Sequence, residues 1–300
     1  MRARSMLFTL FGDYVRHYGG TIWVGSLITL MAQFGFTAPA VRAAVSRMAR
    51  QGWLTPIRAG RASYYALSPR GRDRIEEAAQ RIFKLHPERW DGLWRLLLVP
   101  GVTSDPARRA DLRRELGWMG FAPVARGVYA SPNDLLDRTA ALAARYGLAG
   151  QFEAFTAQHN GPSADPALAA RYWDLEAIDA AYARFVAEWK PRLDARRKTV
   201  ADGGALPDAT AFAEKTLMVH AFRKFLFVDP GLPQDLLPAR WSGLEARAVF
   251  SGYYHLLAEA ALRFFEAQYR PAPGREGDVP DGRRAARRDP FRPDLRAGDG

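Results

Sequence analysis

Met6, Leu7, Leu10, Phe11, Tyr14, Val15 and Tyr18 recur at helical spacing and stop at Gly19-Gly20, and Leu27, Leu30, Met31 and Phe34 form a second stripe closed by Gly35. These patterns predict two amphipathic helices. A third opens on Thr37, a suitable N-cap, with Pro39 in a first turn whose backbone N–H groups have no helical partner. Its apolar side is Val41, Ala44, Val45 and Met48, and it ends near Gly52. Residues 53 to 58, a tip of Ala59-Gly60-Arg61 and residues 62 to 67 then read as a β-hairpin. Helix, helix, helix, hairpin is the order of a winged helix-turn-helix. Ser68-Pro69 opens one more helix, running to Phe83 and out of this region.

The period changes at Leu93. Residues 93 to 99 have the apolar run of a buried strand, and Asp105-Pro106 opens a helix carrying Leu112, Leu116 and Met119. Residues 121 to 124 and 128 to 130 flank a turn at Gly127, Ser131-Pro132 opens another helix, and a last strand lies near 151 to 156. The order β-α-β-β-α-β predicts a ferredoxin-like domain. After a turn-rich break at 160 to 166, Leu168, Tyr172, Leu175, Ile178, Tyr182, Phe185 and Trp189 march at helical spacing toward Pro191. A final helix opens on Ser242 and Glu245 in capping-box spacing and carries Phe250, Tyr253, Leu257, Ala261 and Phe264 on one face. The predicted fold class is α+β. Its parts are a winged helix over 1–90, a ferredoxin-like domain over 91–160, a helical domain over 161–270, and a tail over 271–300 too poor in apolar residues to order itself.

Composition narrows the function. At 300 residues and 48% hydrophobic, the chain has enough material for several cores. It has no cysteine, which removes disulfides, thiolate nucleophiles and Cys-ligated zinc, and a reducing cytoplasmic setting is expected. The apolar run at 6 to 11 is too short for a secretory leader, nowhere do eighteen apolar residues run together, and no membrane association is expected. Charge is unevenly placed. Residues 1–90 hold 14 Lys/Arg against 5 Asp/Glu, which accounts for +9 of a net +11. A polyanion docking at that end is the physical implication, since release of counterions from phosphates drives such binding.

The third helix is where that charge can read a duplex. Opposite its apolar side lie Pro39, Ala43, Ser46, Arg47 and Arg50, with Arg42 on the flank. A guanidinium fork can bond guanine O6 and N7 together, Ser46 can bond a base or a phosphate, and Ala43 permits close approach. Arg58 and Arg61 near the hairpin tip suit the minor groove or phosphates, and Arg2, Arg4 and Arg16 lie where a first helix would brace the backbone. Taken singly, each of these last five arginines is explained equally well as a solubility charge. Catalysis finds little support: His17, His86, His159, His220 and His255 are scattered, and no G-x-S-x-G, Walker or G-x-G-x-x-G pattern occurs. No cofactor or metal is expected, and Arg283, Arg284, Arg287 and Arg288 of the tail stand beside enough acid to be inert.

Three segments carry a family resemblance: TAPAVRAAVSRMARQGWL, the LWRLLLVPG that begins the middle domain, and KFLFVDPGLPQDLLPARWSGLEA at 224 to 246. From about residue 5 to residue 265 the chain resembles the PaaX-type repressors of bacterial phenylacetate catabolism. The resemblance implies a GntR-like winged helix, a middle domain like the CRISPR-associated Cas2 fold, and a helical C-terminal domain. It further implies a homodimer on a palindromic DNA operator, released by phenylacetyl-CoA. Arg42, Ser46, Arg47 and Arg50 match the reading helix, and Arg58 and Arg61 the wing. An acyl-CoA asks for cations at its phosphates and an aromatic pocket for its ring. Arg223, Lys224 and Arg240 are candidates for the first, and Trp173, Trp241 and Tyr253 for the second, although the same aromatics would fill a core equally well. A Cas2-like nuclease would need an acidic residue at the end of the first middle-domain strand, which closes instead on Val99-Pro100, with Asp105 in the loop beyond. A CoA-thioester hydrolase would need a catalytic triad, which the chain lacks, and an architectural DNA-binding protein would hold its duplex with no effector at all.

Overall fold

In the computed structural model, which describes residues 1–84, 89–99 and 106–292, the first apolar stripe folds as α1 (Ala3–Asp13) followed by a 3-10 turn at Val15–His17. The next segment differs from expectation. Before α2 (Val24–Ala32) comes a strand, β1 (Thr21–Trp23), which pairs antiparallel with residues forty places on, Thr21 opposite Ala66. Three residues are too few to show an alternating pattern, so only the partner reveals it. α3 (Ala38–Arg50) is capped as its sequence predicts, with the Thr37 hydroxyl accepting from the Ala40 N–H at 3.4 Å. It ends where Gly52 takes a φ of 73°.

β2 (Leu54–Ala59) and β3 (Ala62–Leu67) form the hairpin, turning at Gly60 with φ 58°. The sheet order is β1-β3-β2. Ser68 caps α4 (Pro69–Ile82) by accepting from the Gly71 N–H at 3.0 Å. Three helices, a short first strand and a hairpin make a winged helix, and the sides of α3 divide as its pattern requires: Val41, Ala44, Val45 and Met48 are buried.

The middle of the chain alternates as expected: β4 (Trp94–Leu98), α5 (Pro106–Met119), β5 (Ala122–Ala125), β6 (Val128–Ser131), α6 (Leu136–Arg145) and β7 (Glu153–Ala157). The four strands pair antiparallel in the order β5-β6-β4-β7, with Leu97 opposite Tyr129 on one side and Ala154 on the other. This is the ferredoxin-like arrangement. Its core sets Leu97 against Leu112, Leu116 and Leu142. Ser131-Pro132 does not open α6. Ser131 closes β6, and its hydroxyl accepts from the Asn133 N–H at 3.2 Å, so the pair turns the chain and the helix starts at Leu136. His86, Pro100 and Asp105, each given a role by sequence, lie outside the described residues.

Five helices follow: α7 (Asp165–Tyr172), α8 (Leu175–Ala201), α9 (Asp208–Phe222), α10 (Ser242–Gln268) and α11 (Asp278–Ala286). α8 continues through Pro191, because Trp189 and Leu193 are both buried and hold the helix on either side of it. By contact the chain divides into two units, one of Met1–Leu85, Phe185–Arg223 and Ala246–Gly300, the other of His86–Arg184 and Lys224–Glu245. The stretch 161–270, expected as one helical domain, contributes to both.

Within the stretch expected to be disordered, residues 278–286 are helical and Phe291 is buried. α11 packs on the 3-10 turn after α1, where Gly282 lies so close that a Cβ would meet Tyr18 Cδ1 at 2.7 Å and the His17 carbonyl at 2.9 Å. Phe291 is 7% exposed among the rings of Phe83, Phe250, Tyr254 and His255, and His255 Nε2 stands 2.8 Å from Asp289 Oδ1. One well-placed aromatic and one bare backbone position do what the average composition does not suggest. No helix among the described residues is long and apolar enough to cross a membrane.

Candidate nucleic-acid interface

Because its buried side is fixed by four apolar residues, α3 presents the opposite side to solvent. Pro39, Arg42, Ala43, Ser46, Arg47 and Arg50 are all at least partly exposed. Ala43, Ser46, Arg47 and Arg50 follow the three- and four-residue steps of one helical face. α3 contains no acidic residue, and among the described residues Arg42, Arg47 and Arg50 form no ion pair. Guanidinium groups with no ion pair, on the exposed side of a helix, are what phosphate and base-edge contacts require.

The wing adds to this. Arg58 stands opposite Ser63 in the hairpin ladder, and Arg61 follows Gly60 at the tip. Both are exposed, and neither has an ion pair among the described residues. The bracing arginines of the first helix fare differently from one another. Arg2 and Arg4 are exposed, and Arg4 lies over the Phe8 ring at 5.8 Å. Arg16 is committed elsewhere: its Nη1 bonds Glu76 Oε2 of α4 at 2.8 Å, which removes it from the set available to a duplex.

A second polar constellation was not foreseen from the sequence. Ser5, Thr9 and Asp13 recur every four residues along α1 and face Arg223, His220 and Lys215 of α9 and its end. Lys215 Nζ donates to Asp13 Oδ2 at 2.6 Å, and the Tyr254 hydroxyl donates to Asp13 Oδ1 at 2.9 Å. The ammonium also sits 3.9 Å from the Tyr254 ring centre and 4.4 Å from that of Tyr14. Thr9 Oγ1 and His220 Nδ1 are 2.9 Å apart, and Arg223 donates from Nε to Thr9 Oγ1 and from Nη2 to the Ser5 carbonyl, both at 2.8 Å. Asp13, Lys215, Thr9 and His220 are buried. Desolvation holds the Lys215 pKa below the ordinary lysine value and pushes the Tyr14 and Tyr254 hydroxyls up. The four-residue repeat of Ser5, Thr9 and Asp13 is present in the sequence, but the partners that bury it lie some two hundred residues away.

The residues assigned to an effector are divided between the two units. Arg223 and Tyr253 belong to the unit that contains the winged helix. Arg223 spends its fork on α1, and burial lowers its pKa to about 10. Tyr253 is fully buried and donates to Glu214 Oε2 at 2.6 Å, while Arg196 bonds the same carboxylate through Nε at 3.0 Å. Trp173, Lys224, Arg240 and Trp241 belong to the other unit. There Trp173 stacks on Trp94 with ring centres 6.3 Å apart. Trp241 meets Tyr182 edge to face at 5.8 Å, and Tyr182 stacks on Phe225 at 3.8 Å. Lys224 and Arg240, which precede Phe225 and Trp241 in sequence, are exposed. Of the histidines, His17 is pressed by burial, and then by Arg16, to a pKa of about 4, while His159 Nδ1 lies 3.3 Å from Asp165 Oδ1. Among the described residues no three His, Asp or Glu side chains gather as a metal would require.

A three-helix head with a wing, its third helix carrying arginines that form no ion pair among the described residues, defines the class: a winged-helix protein joined to a ferredoxin-like domain. Three family models match it in succession, a PaaX-like protein at residues 2–71, the PaaX protein central Cas2-like domain at 87–169, and the PaaX-like protein C-terminal domain at 173–267. The transcriptional repressor PaaX of Escherichia coli strain K12 is 34% identical over 279 residues, covering 90% of this chain and 87% of that one. Among solved structures, the uncharacterized protein Rv0674 from Mycobacterium tuberculosis matches with a TM-score of 0.49 and 26% identity over 81% of this chain and 89% of that one. The chain belongs to the PaaX family.

Proposed function

We propose that this chain is a cytoplasmic transcriptional repressor that binds a palindromic DNA operator as a homodimer and leaves it when an aromatic acyl-CoA binds. Phenylacetyl-CoA is the effector that the family resemblance suggests. The observation that carries the reading is the unpaired arginine face of α3. Its Arg42, Arg47 and Arg50 rise from a helix whose other side is locked into a core. Inserted in the major groove, Arg47 and Arg50 bond base edges, Ser46 bonds a base or phosphate, and Arg58 and Arg61 of the wing hold the flanking backbone. A dimer places two such helices about one helical turn apart along the duplex, which matches a palindromic site.

The effector reading is supported by Phe225 and Trp241, two partly exposed rings packed on the buried Tyr182, each preceded in sequence by an exposed cation, Lys224 before Phe225 and Arg240 before Trp241. Aromatic rings and cations are the groups that an aryl thioester of a nucleotide phosphate asks for. Tyr182 is oriented by its hydrogen bond to Asp229 Oδ2 at 2.5 Å. A ligand that prefers the arrangement with weaker DNA affinity lowers operator occupancy, and a shift of about 100-fold needs only about 3 kcal/mol of differential binding. The test is a mobility-shift titration on the DNA upstream of the chain's own gene, with and without phenylacetyl-CoA. A retarded band that the thioester abolishes is expected. No preference over random duplex ends the repressor reading, and a band indifferent to the thioester ends the effector reading.

A further inference from the structure

α1 occupies a place between two layers of its unit. It packs against α3 and α2 of the head and also against α9. Toward α9 its contact is not a greasy one. Ser5, Thr9 and Asp13 lie four residues apart, one above the other on a single face. Their partners run in the opposite order along α9 and its end: Asp13 with Lys215, Thr9 with His220 and Arg223, and Ser5 with Arg223. The two helices are antiparallel, and their polar side chains match one register. An apolar contact tolerates sliding because burial has no direction. This seam does not, since a slip of one helical turn, about 5.4 Å, would bury Asp13 and Lys215 apart from one another.

We propose that this seam sets the position of the reading helix, with Lys215 and Arg223 acting as positioning residues for DNA recognition through α1. The inference rests on the assignment of α3 to DNA. Side chains that touch no nucleic acid thereby govern how accurately Arg47 and Arg50 meet the bases. Arg223 is joined directly in sequence to Lys224 and Phe225 of the proposed effector cluster. Movement of that backbone reaches Arg223 through a single peptide bond.

The experiment compares the full-length chain with Arg223→Gln, Arg223→Lys and Thr9→Val, titrated on a bound upstream fragment and on random duplex of equal length. Arg223→Gln is expected to weaken binding to the fragment roughly 10-fold and to random duplex less than about 3-fold, since phosphate contacts survive a small misplacement that base contacts do not. Arg223→Lys recovers part of the loss, because an ammonium restores one of the bonds to Thr9 and Ser5. If Arg223→Gln does not fold, Thr9→Val carries the test, with a roughly 3-fold selective loss expected. Equal losses on both duplexes, or wild-type binding by every variant that folds, overturn the proposal. Amide exchange without DNA provides an arm independent of the DNA assignment. α3 amides are expected to exchange faster in the variant while those of α5 are unchanged, and undisturbed α3 protection overturns the proposal even if the wild type proves not to bind DNA.

Discussion

Arg47 on α3 and Arg223 at the end of α9 are the same residue type, in one unit of the protein, with opposite fates. Arg47 is exposed and has no ion pair among the described residues, whereas Arg223 is drawn in and bonded to Thr9 and Ser5. The difference lies in what surrounds each helix. α3 has one buried side and water on the other, so its guanidinium groups stay solvated and ready to exchange water for phosphate or base. α9 is enclosed, with Phe212, Lys215, Met218 and Phe222 all buried, so any charge there must find a partner within the protein. The contrast teaches that a cation's part in this molecule follows from its solvation.

The largest effect that would sharpen this contrast is expected from Lys215→Met. Removing the ammonium leaves Asp13 buried without its cation, and a loss of about 3 to 5 kcal/mol of unfolding free energy is expected in urea titrations. The double variant Asp13→Leu/Lys215→Met should regain most of that loss, because no charge then remains to be desolvated. A single variant costing under about 1 kcal/mol would show that water reaches the seam and would break the contrast.

On the exposed side, Arg47→Ala is expected to cost about 1 to 3 kcal/mol of operator affinity, with thermal stability unchanged. Arg2→Ala is the internal reference, since a phosphate contact weakens every duplex alike. Equal losses of operator and random duplex for Arg47→Ala would move Arg47 from base reading to backbone contact.

The smallest effect concerns His17, whose partly covered ring lies on the enclosed side. Burial, then Arg16, holds its pKa at about 4 against an ordinary value near 6.5. Between those values the unfolded chain takes up a proton that the folded one refuses, so stability falls as pH drops from about 6.5 to about 4 and changes no further below. With allowance for solvent screening at a partly exposed ring, about 1 kcal/mol is expected, read as the melting temperature against pH. His17→Asn should flatten that part of the profile. An unchanged profile would place the ring in water.

Much of the fold was legible because short-range rules act on it. Thr37 and Ser68 cap where their side chains reach free N–H groups, Gly52 and Gly60 turn where φ must be positive, and the 3.6-residue period sorts α3 into a buried and a free side. The exposed side of α3, with Pro39, Ala43, Ser46, Arg47 and Arg50, came from that sorting alone. The surroundings of the aromatic candidates were less legible. A tryptophan or tyrosine at helical spacing fits a pocket and a core equally, and Tyr253 is fully buried while Trp241 is partly exposed against Tyr182.

By itself the sequence determined the periods, caps and turns, the excess of positive charge in the first ninety residues and the side of α3 that meets solvent. Each of these depends on neighbours within a few residues. Only the tertiary structure decided that Thr21 pairs with Ala66, that Phe291 enters an aromatic pocket, and that Ser5, Thr9 and Asp13 face inward onto α9. Those outcomes rest on partners from about forty to more than two hundred residues away, and whether a polar side chain is solvated or buried is settled by the partner that covers it.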